Sequence, residues 1–436
     1  MSVRRSAKRC GVLVGACRYG RCVSRFRLYP TAVQESVLSG HCAHARFVWN
    51  LAVEQQLFWR VGRKSAPGYA EQCRQLTQAR TVNPWLAAGS QTVQQQALRD
   101  FAQAMANFFN GTHRKPNWRK AGRHEGFRIV GSQAQKVRRL NRHHGVVWVP
   151  KAGWVRFAWS RRPPAAKSYR VTKDRSGRWH IGFAAVLPPV PVPGNGAVVG
   201  VDRGVAVSAA LSTGELLRVP GLRPKEAERL LRLRHRLAGA QRGSNRRARL
   251  KAQVARLVAR QTDRRKDFVE YTSTRLARGF DLIAIEDLNI KGMSASARGT
   301  VDAPGRNVKQ KAGLNRGILA AGWGRLARRL EDKAPGRVVK VKAAYTSQTC
   351  SVCGRVDANS RKSQAEFVCT GCGHTDHADV NAARNICDRA LGRGSEPAAG
   401  RVVAARGGSP MGQPVNREPQ LVLASDWSGS GWNPRR

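Results

Sequence analysis

Residues 350–386 read CSVCGRVDANSRKSQAEFVCTGCGHTDHADVNAARNI, and the rest of the chain is organised around them. Two Cys-x-x-Cys knuckles, Cys350/Cys353 and Cys369/Cys372, stand fifteen residues apart, the spacing of a tetrathiolate zinc ribbon. Each knuckle folds two thiolates onto one ion, and Gly354 and Gly373 supply the tight turns that follow. Four free buried thiols are the bland alternative, and spacing this regular disfavours it. The ribbon reads as scaffolding. Its importance lies in the carboxylate it delivers, Asp379, at the start of the helical run DVNAARNI, because that acid needs partners from elsewhere in the chain.

Composition names the class of partner. The 436 residues carry 78 Lys+Arg against 27 Asp+Glu, a net charge of +51 spread along the whole length. Such a chain repels itself unless a polyanion neutralises it, and nucleic acid is the obvious one. An Arg-rich genome would inflate arginine but would not explain the shortage of acids. Hydrophobic residues make up 41%, enough for real cores, and the apolar runs fall short of a membrane span. The basic N-terminus is a poor signal peptide because charge resumes at Arg18 and Arg21, so the expected location is cytoplasmic with no membrane partner. Of ten cysteines, four are assigned to zinc; Cys10, Cys17 and Cys22 are too irregularly spaced for a second site and read as unpaired thiols.

In chain order, RFRLYP (25–30) alternates basic and apolar residues and predicts a strand closed by Pro30. Thr31 with Gln34 predicts a capping box. The helix after it is expected to break at Gly40 and to bury Phe47, Val48, Leu51 and Phe58. A second helix is expected from an N-cap at Ser90 to Phe109. The basic loop that follows offers Trp118 and Phe127 either for base stacking or as core anchors. Strands are predicted in VVWVP, VRFAW, YRVTK and WHIGFAAVL, with DRSG as a turn. PPVPVPGNG (188–196) is a linker.

The second half is more telling. AVVGVD and GVAVSAALS predict two strands, and ELLRV a third. A long basic helical segment broken at 239–243 precedes a buried-type strand, DLIAIEDL. A flexible stretch then leads to a helix around 314–333 and the strand RVVKVKAA. Three strands, helix, strand, helix, strand, helix is the order of a ribonuclease H-like α/β domain.

With so few acids, their positions carry information. Asp202 and Glu286 end apolar strands, where a charge is costly unless something binds it, and Asp379 opens the last helix. In a ribonuclease H-like sheet the three converge. Close together they would repel one another unless hard divalent cations neutralise them, and two Mg²⁺ ions roughly 4 Å apart activate water against a phosphodiester. Taken singly, each acid also has a local reading: a turn cap at Asp202, an arginine partner for Glu286, a helix N-cap at Asp379. Asp287 points away from the cluster if the strand persists, and Asp376 reads as a local cap.

These residues resemble a known family. GVDRGVAVSAALSTG, IAIEDLNIKGM and TSQTCSVCG…CTGCG…DHADVNAARNI are similar to the three RuvC segments and zinc ribbon of the TnpB (OrfB) proteins of insertion sequences. The front, FRLYPTAVQ…CAHARFVWNLAVEQQ, resembles that family's N-terminal segment, and the likeness spans roughly 25–390. Compact type V CRISPR effectors share it. The resemblance implies an RNA-guided DNA endonuclease, prokaryotic and nucleoid-associated, with guide RNA and target DNA as partners. It implies an α/β multidomain architecture: a β-barrel wedge (25–187) carrying a helical recognition insertion (about 31–130), and a RuvC (ribonuclease H-like) nuclease (197–392) with an inserted zinc ribbon (346–376). The N-terminal extension (1–24) departs from the family pattern, and the Gly-, Pro- and Arg-rich tail (393–436) is expected to be disordered from its composition. By the same resemblance Asp202, Glu286 and Asp379 are catalytic and hold Mg²⁺, while Cys350, Cys353, Cys369 and Cys372 hold Zn²⁺. Arg203, where the family commonly has a smaller or apolar residue, brings a guanidinium close enough to compete with metal for Asp202. Arg246, Arg247, Lys251, Arg264 and Arg265, recurring on several faces of a basic helix, are candidate nucleic-acid contacts together with Trp118. A guided repressor without cleavage and a strand-joining transposase are the alternatives.

Overall fold

The computed structural model describes residues 22–57, 66–123, 125–186 and 188–393. Cys10, Cys17, Phe58, most of the N-terminal extension and the tail from 394 lie outside them. The chain begins with β1 (Cys22–Tyr29), followed by α1 (Ala32–Leu57), α2 (Tyr69–Val82), α3 (Pro84–Ala88) and α4 (Gln91–Phe109). Then come β2 (Gly126–Val130), α5 (Ser132–Gln135), β3 (Val137–Arg139), β4 (His144–Val149), β5 (Gly153–Ala158), β6 (Ser168–Lys173) and β7 (Trp179–Ala185). A second run holds β8 (Val198–Asp202), β9 (Ala209–Leu211), β10 (Leu216–Leu217), α6 (Pro224–Ala238), α7 (Asn245–Gly279), β11 (Leu282–Glu286) and α8 (Ile290–Met293). It closes with α9 (Val308–Ala321), α10 (Trp323–Lys333), β12 (Val338–Val341), β13 (Glu366–Val368), β14 (Thr375–His377) and α11 (Ala378–Ala390). Two compact units result, residues 1–189 with 221–266 and residues 190–220 with 267–436. The Pro-rich stretch at 188–196 contains one boundary, and the helical excursion 221–266 clusters with the first unit.

In the first unit seven antiparallel strands run in the order β2-β6-β7-β1-β5-β4-β3. Alternation on β1 sends Phe26 and Leu28 inward, and Phe26 meets Phe157 and Phe183 edge-on at 5.6 and 5.7 Å. Among the described residues no ladder joins β2 to β3, so the strands are paired as a sheet and not as a closed barrel. The four helices inserted after β1 pack on it through Leu38, Val48, Val93 and Phe101. The capping box forms: Gln34 N–H donates to Thr31 Oγ1 at 3.3 Å, and Thr31 N–H donates to Gln34 Oε1 at 3.1 Å.

Two expectations for this unit are corrected, and one left open is decided. Helix α1 runs through Gly40 without a break, since a lone glycine costs only about 1 kcal/mol in a helix that packing supports. Its buried face is Leu38, Cys42, Ala45, Val48, Ala52 and Val53, whereas Phe47 and Leu51 are exposed. Close approach to α4 favours the small residues, and Phe47 instead packs edge-on against Trp85 at 5.3 Å. Phe127 lies on β2 in the core, its ring 5.0 Å from His41, and so cannot stack on a base; Trp118 is 45% exposed.

In the second unit the sheet order is β10-β9-β8-β11-β12. β9 is antiparallel to β8 and β10, while β8, β11 and β12 are parallel. The expected succession of elements is present, with two local changes. Only 209–211 of GVAVSAALS is strand, the preceding residues forming a loop over the strand ends. The helix expected around 314–333 is two helices, split at Gly322, whose φ of +76° is open to glycine without penalty. Helix α11 lies directly on β8: a Cβ on Gly200 would sit 1.9 Å from the Ala383 carbonyl oxygen, so only glycine admits this approach.

Candidate active site

Strand register brings the first two acids together. β8 and β11 are parallel, with Ile285 opposite Val201, so Asp202 and Glu286 are the next step at the carboxyl ends of adjacent strands. Adjacent strands lie about 4.8 Å apart, and the carboxyl ends of such strands are where open α/β sheets bind ligands. The Gly200–Ala383 contact fixes the third. Asp379 sits one helical turn before Ala383, and its Oδ2 lies 3.7 Å from where a Gly204 Cβ would stand. The three carboxylates line one cleft of about 650 Å³. Asp379 is not the N-cap of its helix; His377 is, with Nδ1 accepting from Asp379 N–H at 3.2 Å. That leaves the Asp379 carboxylate to face the cleft.

The other polar groups around the acids are specific. Thr346 Oγ1 donates to Glu286 Oε1 at 2.8 Å, and Arg361 Nη2 donates to Asp379 Oδ1 at 3.0 Å. Arg203 is buried at 5% exposure, and its Nη2 donates to the Glu286 backbone carbonyl. Trp323 Nε1 donates to the Gly204 carbonyl at 2.9 Å, pinning the loop that follows Asp202. Asp376 is a local group, as expected, paired with Arg384 at 2.8 Å, and Asp287 is exposed at the strand end. Thr346 and Arg361 escaped the sequence reading. The first lies unremarked in TSQTC, and the second is one arginine among very many.

The four cysteines converge. Their sulfurs all lie within 4.8 Å of one another, with Cys350 to Cys372 at 3.8 Å and Cys353 to Cys369 at 3.5 Å. Tetrahedral Zn–S bonds of about 2.3 Å demand S···S separations of about 3.8 Å, so the donor set fits zinc. Among the described residues no other group of three or more His, Cys, Asp or Glu is this tight. The Cys372 and Gly371 N–H groups point at Cys369 Sγ at 3.5 and 3.4 Å and bring its pKa down to about 6, whereas burial pushes Cys350 up to about 12. Gly354 and Gly373 take φ of +74° and +72°, as the turns require. Two asparagines of DVNAARNI tie this ribbon to the acids. Asn381 accepts from Ser351 N–H at 2.9 Å and donates to the Thr349 carbonyl at 2.7 Å; Asn385 donates to the Thr346 and Thr349 carbonyls at 2.9 and 2.7 Å.

The basic candidates of the first unit separate. Arg247 donates to the Leu237 and Ala240 carbonyls at 2.8 and 2.6 Å, capping the end of α6, and Arg264 is held by Glu226 at 2.7 Å. Arg246 and Lys251 are exposed, and Arg265 is half-buried. A cleft of about 550 Å³ that sequence reading missed is lined by Arg99, Arg119, Arg128, Arg170 and Gln96. There Arg119 stacks on the Trp49 ring at 3.5 Å, and the buried Gln96 Oε1 lacks a hydrogen-bond partner.

An α/β unit with two carboxylates at adjacent strand ends, a third on the helix packed against them, and a tetracysteine cluster tied to that helix defines a class of chain built around an all-oxygen site. The comparisons carry this further. Residues 323–386 match the family described as "Cas12f1-like, TNB domain", residues 168–297 "Probable transposase", and residues 23–61 "Helix-turn-helix domain". The last span is a strand and one continuous helix as far as the described residues reach. The chain is 34% identical to InsQ of Escherichia coli (strain K12), named "Putative RNA-guided DNA endonuclease", over 92% of this chain and 97% of that protein. It is 29% identical to the CRISPR-associated endodeoxyribonuclease Cas12f1 of Sulfoacidibacillus thermotolerans, over 50% of this chain and 51% of that one. A Cas12f1–sgRNA–target DNA complex superposes at a TM-score of 0.47 and 13% identity, covering 81% of this chain and 82% of that one. The chain belongs to the TnpB (OrfB) family of insertion-sequence proteins.

Proposed function

We propose that the protein is an RNA-guided DNA endonuclease that cuts DNA beside a short duplex motif by metal-dependent phosphodiester hydrolysis. The observation that carries this is the convergence of Asp202, Glu286 and Asp379 on one cleft in a chain 34% identical to InsQ. Residues 197–392 then form a RuvC-like nuclease, and the sheet with its inserted helices forms the wedge and recognition lobe. The cleft offers hard oxygen donors only, the set that Mg²⁺ prefers. Asp202, Glu286 and Asp379 would hold Mg²⁺, which would supply Lewis-acid chemistry for phosphodiester hydrolysis. The chain's own part is positional: Thr346 orients Glu286, Arg361 orients Asp379, and the ribbon fixes the helix that carries Asp379. Zinc in the ribbon is structural. The three acids in one cleft favour cleavage over passive repression.

Guide RNA and target DNA account for the +51 charge, because a heteroduplex of about 20 bp and a folded scaffold present enough phosphate to use it. Arg246, Lys251 and exposed Trp118 are contact candidates, with Arg265 beside them. Arg247 and Arg264 are tied up within the protein and contribute through helix placement. The test is cleavage of two plasmids, each carrying one target, with the two guides supplied in turn. Cutting should follow the guide and require the flanking motif. Equal cutting of both plasmids whatever the guide, or full cutting without RNA, would overturn the proposal.

A further inference from the structure

Two guanidinium groups line the acid cleft. Arg361 is paired with the Asp379 carboxylate at 3.0 Å, whereas Arg203 is bonded to a backbone carbonyl and brings a positive charge that repels a divalent ion. Yet Arg203 follows directly on Asp202, lines the cleft and is 95% buried. Its Nη2 binds the carbonyl of Glu286, at the end of the neighbouring strand, and its Nε–H has no hydrogen-bond partner. Burial works against its charge, while Glu286, Asp202 and Asp287 favour it. A guanidinium stays protonated in such surroundings. The contact is to a backbone carbonyl, so the side chain is held in place without consuming a carboxylate oxygen.

We infer that Arg203 is a resident counter-cation and positioning residue: it holds the two strand ends that carry Asp202 and Glu286 together, and it weakens divalent-ion binding by the acids until a phosphodiester adds negative charge to the cleft. Metal loading is thereby coupled to substrate arrival. This rests on the reading that Asp202, Glu286 and Asp379 hold Mg²⁺, and it adds a threshold which that reading does not contain. Removing one buried positive charge beside a divalent ion should tighten its binding about tenfold or more, since electrostatic interactions of this kind are only partly screened away from bulk water.

The experiment is calorimetric titration of the zinc-loaded full-length protein with Mg²⁺ alone, without DNA, supported by the Mg²⁺-induced shift in melting temperature. Arg203→Gln keeps a donor for the Glu286 carbonyl and removes the charge; its Mg²⁺ midpoint should fall about tenfold. Arg203→Lys keeps the charge and should stay close to wild type. Arg203→Met serves if the glutamine variant does not fold, with the same fall expected. An unchanged or higher midpoint in the neutral variants overturns the inference. Asp202→Ala is the control for the underlying reading: it should abolish the titration, and a wild-type titration there would overturn the Mg²⁺ assignment itself. Adding a non-cleavable phosphodiester duplex with its guide should tighten Mg²⁺ binding more in wild type than in Arg203→Gln; equal tightening in both also counts against the coupling.

Discussion

Thr346 orients Glu286 and Arg361 orients Asp379, while Asp202 is set by the strand register, so each can be removed without emptying the cleft of structure. Replacing any one by alanine should lower DNA cleavage by about a thousandfold or more, since one group is lost from a preorganised charged site. Retention of guide RNA and target DNA should persist, because phosphate contacts lie elsewhere on a basic surface. A cleavage assay beside a filter-binding assay checks this, and wild-type cutting by Asp379→Ala would remove the third acid from the site. A second expectation concerns His180. Burial first, and then Arg25, lower its pKa to about 4, although Asp174 accepts from it at 3.1 Å. His41 and His44 are lowered in the same direction, also by burial. A histidine whose folded pKa lies below its unfolded value near 6.5 is neutral in both states at higher pH. As pH falls from about 6.5 to 4 the unfolded chain takes up the proton first, so stability is lost across that window, on the order of 2 kcal/mol for His180. Asp174, held below the usual carboxylate range, adds its loss only below about pH 4. Melting temperature against pH should therefore fall less steeply between 6.5 and 4 in His180→Gln than in wild type.

The ribbon acts as an element that aims another element. Its four sulfurs close one loop, and Asn381 and Asn385 bond α11 to the backbone that leads into that loop. Zinc bound to such a cluster supplies local folding free energy. Metal analysis should find one zinc per chain in the wild type, and Cys350→Ser or Cys369→Ser should release it. Each should also reduce cleavage several-fold or more by loosening Asp379, although neither cysteine faces the acid cleft. Full activity in a zinc-free variant would separate the ribbon from the site.

For the molecule as a whole, a charge of +51 is the dominant quantity. Ion pairs show how the scarce acids are used: Asp100 alone ties down two arginines, Arg128 and Arg170. Most basic groups therefore have no acid to meet. The protein should carry RNA through purification at moderate salt and release it steeply as salt rises, because each phosphate contact frees a counterion. Absorbance ratio and extracted RNA, measured before and after nuclease treatment, check this; protein that emerges free of RNA at moderate salt would contradict it.

The sequence by itself determined the parts whose signal is local or periodic. Cysteine spacing specified the four-sulfur cluster, because two knuckles and their glycines leave little geometric freedom. Alternation specified β1 and the strands after it, since a strand has only two faces. A charge ending an apolar run marked Asp202 and Glu286, because a carboxylate there is costly without a partner. Only the tertiary structure decided what depends on a neighbour distant in sequence. The parallel register of β8 and β11 sets Asp202 beside Glu286, and Gly200 lets α11 close on β8 and deliver Asp379. The same dependence explains the misreadings. Phe47 and Leu51 satisfy a helical period, yet α4 approaches the other face of α1; for Phe127, open to base stacking or to the core in the sequence, pairing with β6 decides for the core. Arg361 and Thr346 look ordinary in the sequence, and Arg203 stands out there only beside Asp202, because a hydrogen bond to Asp379, to Glu286 or to a strand-end carbonyl exists only once the chain has brought them within about 3 Å.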